Sequence, residues 1–217
     1  MGHNLPFVGY GGAAGLSHLE MAGVMTEYSF PLVCLGASAG GVDAFTRLVR
    51  ALRPDLGCAF VVITHLRQTP TAMPEILRPV TPMRVLLITD GMLIERNHVY
   101  VIPSNCELTL QDEHFHLGEI SKPFGWPNVL TIFLKSMAEH WMGMPVAVVL
   151  SGAGGDGSDA LNSIKAADGV TFVQKRETAA HPDMPQTALA TGFVDFELSP
   201  EEIAQELVRI GSEKRAP

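Results

Sequence analysis

Pro31-Leu32-Val33-Cys34-Leu35-Gly36-Ala37-Ser38-Ala39-Gly40-Gly41, with the run Val42–Leu52 behind it, reads as a strand, a tight turn of small residues and a helix. The first five residues form an apolar run of strand length. In the run behind the turn, Phe45, Leu48, Val49 and Leu52 recur at helical spacing and share one face. The alternation continues down the chain. Ala59–Ile63 is a continuous apolar run, as expected of a strand buried on both faces. Thr71–Leu77 reads as a short helix and Arg84–Ile88 as a strand. Val99–Ile102, Glu107–Leu110 and His114–Leu117 read as short strands joined by turns, which places a small antiparallel ribbon there. Val129–Trp141 is a helix, Val146–Leu150 a buried strand, Ser158–Ala167 a helix ending before Gly169, Val170–Gln174 a strand and Glu201–Ile210 a final amphipathic helix. Strands alternating with helices predict parallel βαβ units with right-handed crossovers. The expected fold is therefore α/β: a doubly wound, mostly parallel, Rossmann-like three-layer sheet with a small antiparallel ribbon.

Composition bounds what such a domain can do. The chain has 217 residues, enough for one domain, and 47% hydrophobic against 18% charged residues supports a large core and excludes a disordered chain. Residues 1–28, with Gly9, Gly11, Gly12 and Gly15 and no hydrophobic period, read as a loose leader, and 29–213 as the domain. The longest apolar run is about ten residues, short of the ~20 that a membrane span needs. Net charge is −8, from 15 Lys+Arg against 23 Asp+Glu, with no basic block, so phosphate-neutralising nucleic-acid binding is excluded. The first Lys or Arg is Arg47, which leaves no basic n-region for a secretory signal. Cys34, Cys58 and Cys106 are too few and too scattered for a disulfide framework or metal knuckle, and Cys34 and Cys58 sit in apolar runs as buried thiols. A reducing cytoplasm is the expected location.

In parallel sheets the chemistry gathers at the C-terminal ends of strands. Gly36-x-Ser38-x-Gly40 has the form of a nucleophile elbow, and the helix behind it aims free amides and a positive dipole end at the same spot. A small-residue turn fits the same string. A dinucleotide loop does not, because Ser38 replaces the middle glycine and Thr64-His65-Leu66 offers no acid for a ribose; nor is there a Gly-Lys-Ser/Thr P-loop. His65, at the second strand mouth, is the natural base for a serine proton; alternatively it is a loop histidine held by a carbonyl. After Val146–Leu150 comes Ser151-Gly152-Ala153-Gly154-Gly155-Asp156-Gly157-Ser158. There Asp156 is either a cap or Asx-turn residue, or the carboxylate that orients His65, while the glycines expose backbone donors to an oxyanion. Asp159 sits inside the helical stretch and should face solvent. The chain order Ser, His, Asp differs from that of α/β-hydrolases and of chymotrypsin-like proteases.

Those three segments resemble the catalytic segments of CheB-type protein-glutamate methylesterases. Asp90-Gly91-Met92 with Asn97–Pro103 is similar to that family's central segment, and Met184-Pro185 with Ala188–Gly192 and Val194-Asp195 to its C-terminal one. The resemblance covers about Pro31 to Leu207 and is nearest to the esterase domain of methylesterase/methyltransferase fusions. It implies hydrolysis of γ-glutamyl methyl esters on chemoreceptor helices, with deamidation of receptor glutamines as a second activity. By motif match Ser38 is the nucleophile, His65 the general base and acid and Asp156 the orienting carboxylate, with backbone N–H groups of Ala39 and Ala153 as oxyanion donors. The chain departs from the family pattern at Ala153, where a larger residue is usual, at Thr131, where aspartate is frequent, and at Asp183, where glycine is common. The 30 residues ahead of the core are too few for the receiver domain of many members. No metal or organic cofactor is implied. The expected partner is a methylated chemoreceptor helix or similar signalling protein, without nucleic acid or membrane insertion.

Other residues read more plainly. His114 and His116 share a strand face without a third ligand, and His140 lies against a helix C-terminus. His181, beside Pro182, reads as a loop residue, with a place at the site as the lesser alternative. Two other functions compete: a non-catalytic module docking on receptor or kinase partners, and an esterase for another substrate.

Overall fold

The computed structural model describes residues 30–64, 71–121 and 128–213. Leu32–Ala37 (β1), Ala59–Thr64 (β2), Arg84–Leu87 (β3), Met92–Leu93 (β4), His98–Val101 (β5), Glu107–Gln111 (β6), His114–Gly118 (β7), Pro145–Val149 (β8), Val170–Gln174 (β9) and Phe196–Leu198 (β10) are the strands. The helices are Gly41–Ala51 (α1), Met73–Leu77 (α2), Val129–His140 (α3), Leu161–Ala166 (α4), Asp183–Leu189 (α5) and Pro200–Glu213 (α6). Seven strands form one sheet in the order β10-β9-β8-β1-β2-β5-β3, and every pairing in it is parallel. β4, β7 and β6 form the antiparallel ribbon.

The period-two pattern of the strands sorts the core into two layers. Leu32, Cys34, Val61, Ile63, Ala147 and Val149 face α3, α4 and the ribbon. Val33, Leu35, Phe60, Val62, Val146 and Val148 face α1, α2 and α6. Both faces of β1, β2 and β8 are covered, which is why these strands read as unbroken apolar runs rather than alternating ones. α6 begins with a capping box: the Ser199 amide and hydroxyl donate to Glu202 Oε2, both at 2.8 Å.

The structure corrects one strand assignment. Val99–Ile102 belongs to the main sheet, paired with β2 and β3, and the ribbon's remaining strand is Met92–Leu93. The physical reason is burial: Val99, Tyr100 and Val101 are fully buried, so both faces of β5 are covered, whereas a ribbon strand leaves one face open. Ser158–Ala167 divides into a 3₁₀ turn at Ser158–Ala160 and α4. α5 and β10 lack a sequence assignment; they are seven and three residues long. No described helix is long and apolar enough to cross a membrane.

Candidate active site

Strand order reverses at β1. The chain builds outward through β2 on one side, then returns through β8 on the other. In an open α/β sheet the crevice beyond the strand C-termini at such a reversal is where ligands bind. The segments leaving β1 and β8 at this point are the Ser38 turn and residues 150–157.

Ser38 is half-buried, with Ala39 and Gly40 exposed beside it. Its amide donates to the Ser151 carbonyl (3.0 Å) and its carbonyl accepts from the Gly41 amide (3.0 Å), which opens α1. Gly40 has φ +75°, and a Cβ there would lie 2.6 Å from Ser151 Oγ and 2.8 Å from Ala180 Cβ. Conformation and space both require glycine. The β8 loop packs on the serine: a Cβ on Gly152 would overlap Met184 Sδ and stand 3.1 Å from Ser38 Cβ.

Two amides are aimed by bonds on the other side of their peptide planes. Gly41 N–H holds the Ser38 carbonyl, and Met184 N–H holds the Gly152 carbonyl (3.0 Å). In a planar trans peptide the N–H points opposite to its carbonyl, so these bonds fix the directions of the Ala39 and Ala153 amides. Among the described residues neither amide donates a hydrogen bond. Ala153 is exposed.

Asp156 is half-buried, and its carboxylate caps a helix from another part of the chain. Oδ2 accepts from the Leu130 amide (2.9 Å), and Oδ1 accepts from the Thr131 amide (2.9 Å) and hydroxyl (2.7 Å). Thr131 Oγ1 in turn accepts from the Gly157 amide (2.8 Å). The negative charge thus sits at the positive end of α3. The sequence alternative was a cap or Asx turn at Asp156's own junction; here the carboxylate caps α3. Leu130 packs against Gly36, so this capped first turn lies directly beside the base of the Ser38 turn. The Cys34 thiol in β1 is pushed well above its usual value by burial first and by the Asp156 charge second.

β2 ends at Thr64, opposite Ala37 in the register. His65 lies outside the described residues. His181 is brought to the turn: its ring Cδ2 stands 3.4 Å from where a Cβ on Gly40 would be, and its carbonyl accepts from the Gly152 amide (2.9 Å). Asp159 is exposed. His114 and His116 share a ribbon face opposite buried Phe115, and among the described residues no cluster of three or more His, Cys, Asp or Glu is placed to hold a metal ion.

The sequence reading overlooked two side chains. Ser151, 1% exposed, donates its hydroxyl to the Ala39 carbonyl (2.8 Å) and accepts from the His181 amide (3.0 Å). Gln174, also 1% exposed, accepts from the Ser151 amide (2.9 Å) and donates to the Thr178 carbonyl (2.8 Å). The available signal was a polar residue closing each of two apolar strand runs.

Known proteins resemble this chain along most of its length. Protein-glutamate methylesterase/protein-glutamine glutaminase 2 of Burkholderia pseudomallei (strain 1710b) is 31% identical over 188 residues, 85% of this chain and 55% of that protein. Protein-glutamate methylesterase/protein-glutamine glutaminase 3 of Burkholderia orbicola (strain AU 1054) is 33% identical over 180 residues, 82% of this chain and 53% of that protein. The chain therefore spans about half the length of the curated relatives it matches. The crystal structure of the Thermotoga maritima CheB methylesterase catalytic domain shares the fold, with a TM-score of 0.76 and 24% identity over 83% of this chain and 98% of that one. The model of the CheB methylesterase family matches residues 33–207, from β1 into α6, and by that extent the chain belongs to this family.

Proposed function

We propose that this chain is a serine hydrolase that removes methyl esters from glutamate side chains of chemoreceptors. Glutamine side-chain deamidation, the second activity in the relatives' names, would be a further reaction of the same site. One observation carries the reading. At the point where strand order reverses, the Ser38 turn is docked on the Gly152 loop, and the Ala39 and Ala153 amides, oriented and without acceptors among the described residues, flank it.

In the proposed reaction Ser38 Oγ attacks the ester carbonyl while His65 takes its proton. The Ala39 and Ala153 amides receive the developing oxyanion, an effect worth about 3 kcal/mol per donor in other hydrolases. His65 then protonates the departing methanol, and a water activated by the same residue releases the glutamyl enzyme. Asp156 supplies the carboxylate, held in one orientation by its bonds to Leu130 and Thr131. An amide substrate follows the same path and releases ammonia. The partner is a methylated receptor helix, and the reaction belongs in the cytoplasm, where such helices present their glutamates.

Ser38→Ala is the test. Methanol release from methylated receptor fragments should vanish while the far-UV circular dichroism spectrum is unchanged. Full methanol release in that variant would remove the reading, and release from small esters alone would replace the substrate.

A further inference from the structure

We propose that Ser151 is a positioning residue for this reaction, acting through the Ser38 turn. The inference rests on the hydrolase reading of Ser38. Ser151 is almost fully buried, yet all of its polar groups are used, and each reaches a segment that shapes the site. Its carbonyl holds the Ser38 amide (3.0 Å). Its hydroxyl donates to the Ala39 carbonyl (2.8 Å) and accepts from the His181 amide (3.0 Å), with the His181 carbonyl a longer alternative acceptor at 3.4 Å. Its own amide is anchored on Gln174 Oε1 (2.9 Å), and Gln174 Nε2 is anchored on the Thr178 carbonyl (2.8 Å).

The consequence is geometric. One hydroxyl ties the turn after β1 to the segment between β9 and α5. That segment leads directly into α5, whose Met184 amide fixes the Gly152 carbonyl and with it the direction of the Ala153 amide. The two candidate oxyanion donors come from different strands, so their mutual position depends on whatever joins those strands' loops. Ser151 is that joint. Gly40 shows how little slack is available, since a Cβ there would stand 2.6 Å from Ser151 Oγ. A misplacement of about 1 Å in such a constellation costs about 100-fold in rate. Ser151 touches neither substrate nor reacting atoms; it acts by holding the groups that do.

The test follows the rate at which a fluorophosphonate labels Ser38 in the full chain, with melting temperature read in parallel. Ser151→Ala should label about 10- to 100-fold more slowly, in its maximal rate rather than in its half-saturating probe concentration. Ser151→Thr, which keeps the hydroxyl, should recover to within about threefold of the parent. Ser136→Ala is the control for a merely structural loss. Its buried hydroxyl also donates to and accepts from backbone, at the Leu110 carbonyl (3.0 Å) and amide (2.8 Å), but in the ribbon. It should lower the melting temperature and leave labelling unchanged. Parental labelling in Ser151→Ala, no recovery in Ser151→Thr, or equal slowing in Ser136→Ala overturns the inference alone. A parent chain that is not labelled at Ser38 removes the hydrolase reading and this inference with it.

Discussion

Asp156 illustrates how one side chain can meet a structural and a chemical demand together. Its two oxygens satisfy amides of the first turn of α3 that would otherwise lack partners. Asp156→Ala should therefore cost about 1–2 kcal/mol of stability, read from the urea midpoint. Asp156→Asn keeps one acceptor oxygen but turns an NH2 group toward the other donor, so it should recover only part of that stability. In the proposed reaction it should nevertheless lose about 10³- to 10⁴-fold in rate, because an amide cannot support the imidazolium. Unchanged stability in Asp156→Ala would contradict the capping role; activity retained in Asp156→Asn would contradict the chemical one. The Thr131 hydroxyl bridges Asp156 and the Gly157 amide, so this position serves the carboxylate.

Among the elements, α3 and β1 are locked by the absence of a side chain. A Cβ on Gly36 would overlap the Leu130 side chain, which is 2% exposed. Gly36→Ala should destabilise by about 1–3 kcal/mol through overpacking. Because Leu130 also carries one of the amides that Asp156 accepts, the same change should displace the cap. Adding Leu130→Ala makes room, so the double variant should be less destabilised than the sum of the single ones; strict additivity in urea melts would refute the contact. β5 shows where reading by element fails. Its His98-Val99-Tyr100-Val101 run is too short for periodicity to separate a ribbon strand from a buried one, and its neighbours in the chain are ribbon strands. Burial on both faces put it in the main sheet, and the unbroken apolar run Val99–Ile102 was the local trace of that burial.

Across the whole molecule, ion pairs fasten the last helix and last strand to the sheet. Arg47 bonds both oxygens of Glu201 (2.7 and 2.9 Å), joining α1 to α6. Lys175 reaches Glu202 (3.1 Å), and Lys165 reaches Asp195 (2.8 Å) just ahead of β10. The Arg47 hydrogen bond holds Glu201 below the usual carboxylate range. The Ser199 amide and hydroxyl, then Lys175, bring Glu202 to about 2. Burial alone would raise Asp195, but the bonds from Lys165 and Thr171 outweigh it and leave the group lowered. A carboxyl lowered in the folded state adds stability above its unfolded value of about 4 and loses it as pH falls through the folded value. The urea midpoint should accordingly drop as pH falls from about 5 to about 2, and Glu202→Gln should flatten that slope. A slope unchanged by Glu202→Gln would exclude Glu202 as a source of the acid sensitivity.

The alternation of apolar runs with helical periods in the sequence was enough to fix a doubly wound sheet, because strands buried on both faces and helices buried on one leave different periods in the chain. The glycine pattern around Ser38 and Gly152 likewise marked the two turns, since close approach there tolerates no Cβ. What folding alone supplied was the joining of those turns: the Ser151 hydroxyl on Ala39, the Met184 amide on Gly152 and the Asp156 cap on α3 link residues 25 to 112 positions apart. Such bonds depend on which strand neighbours which, and strand order is set by packing of the whole sheet, which leaves no mark on the residues that form them.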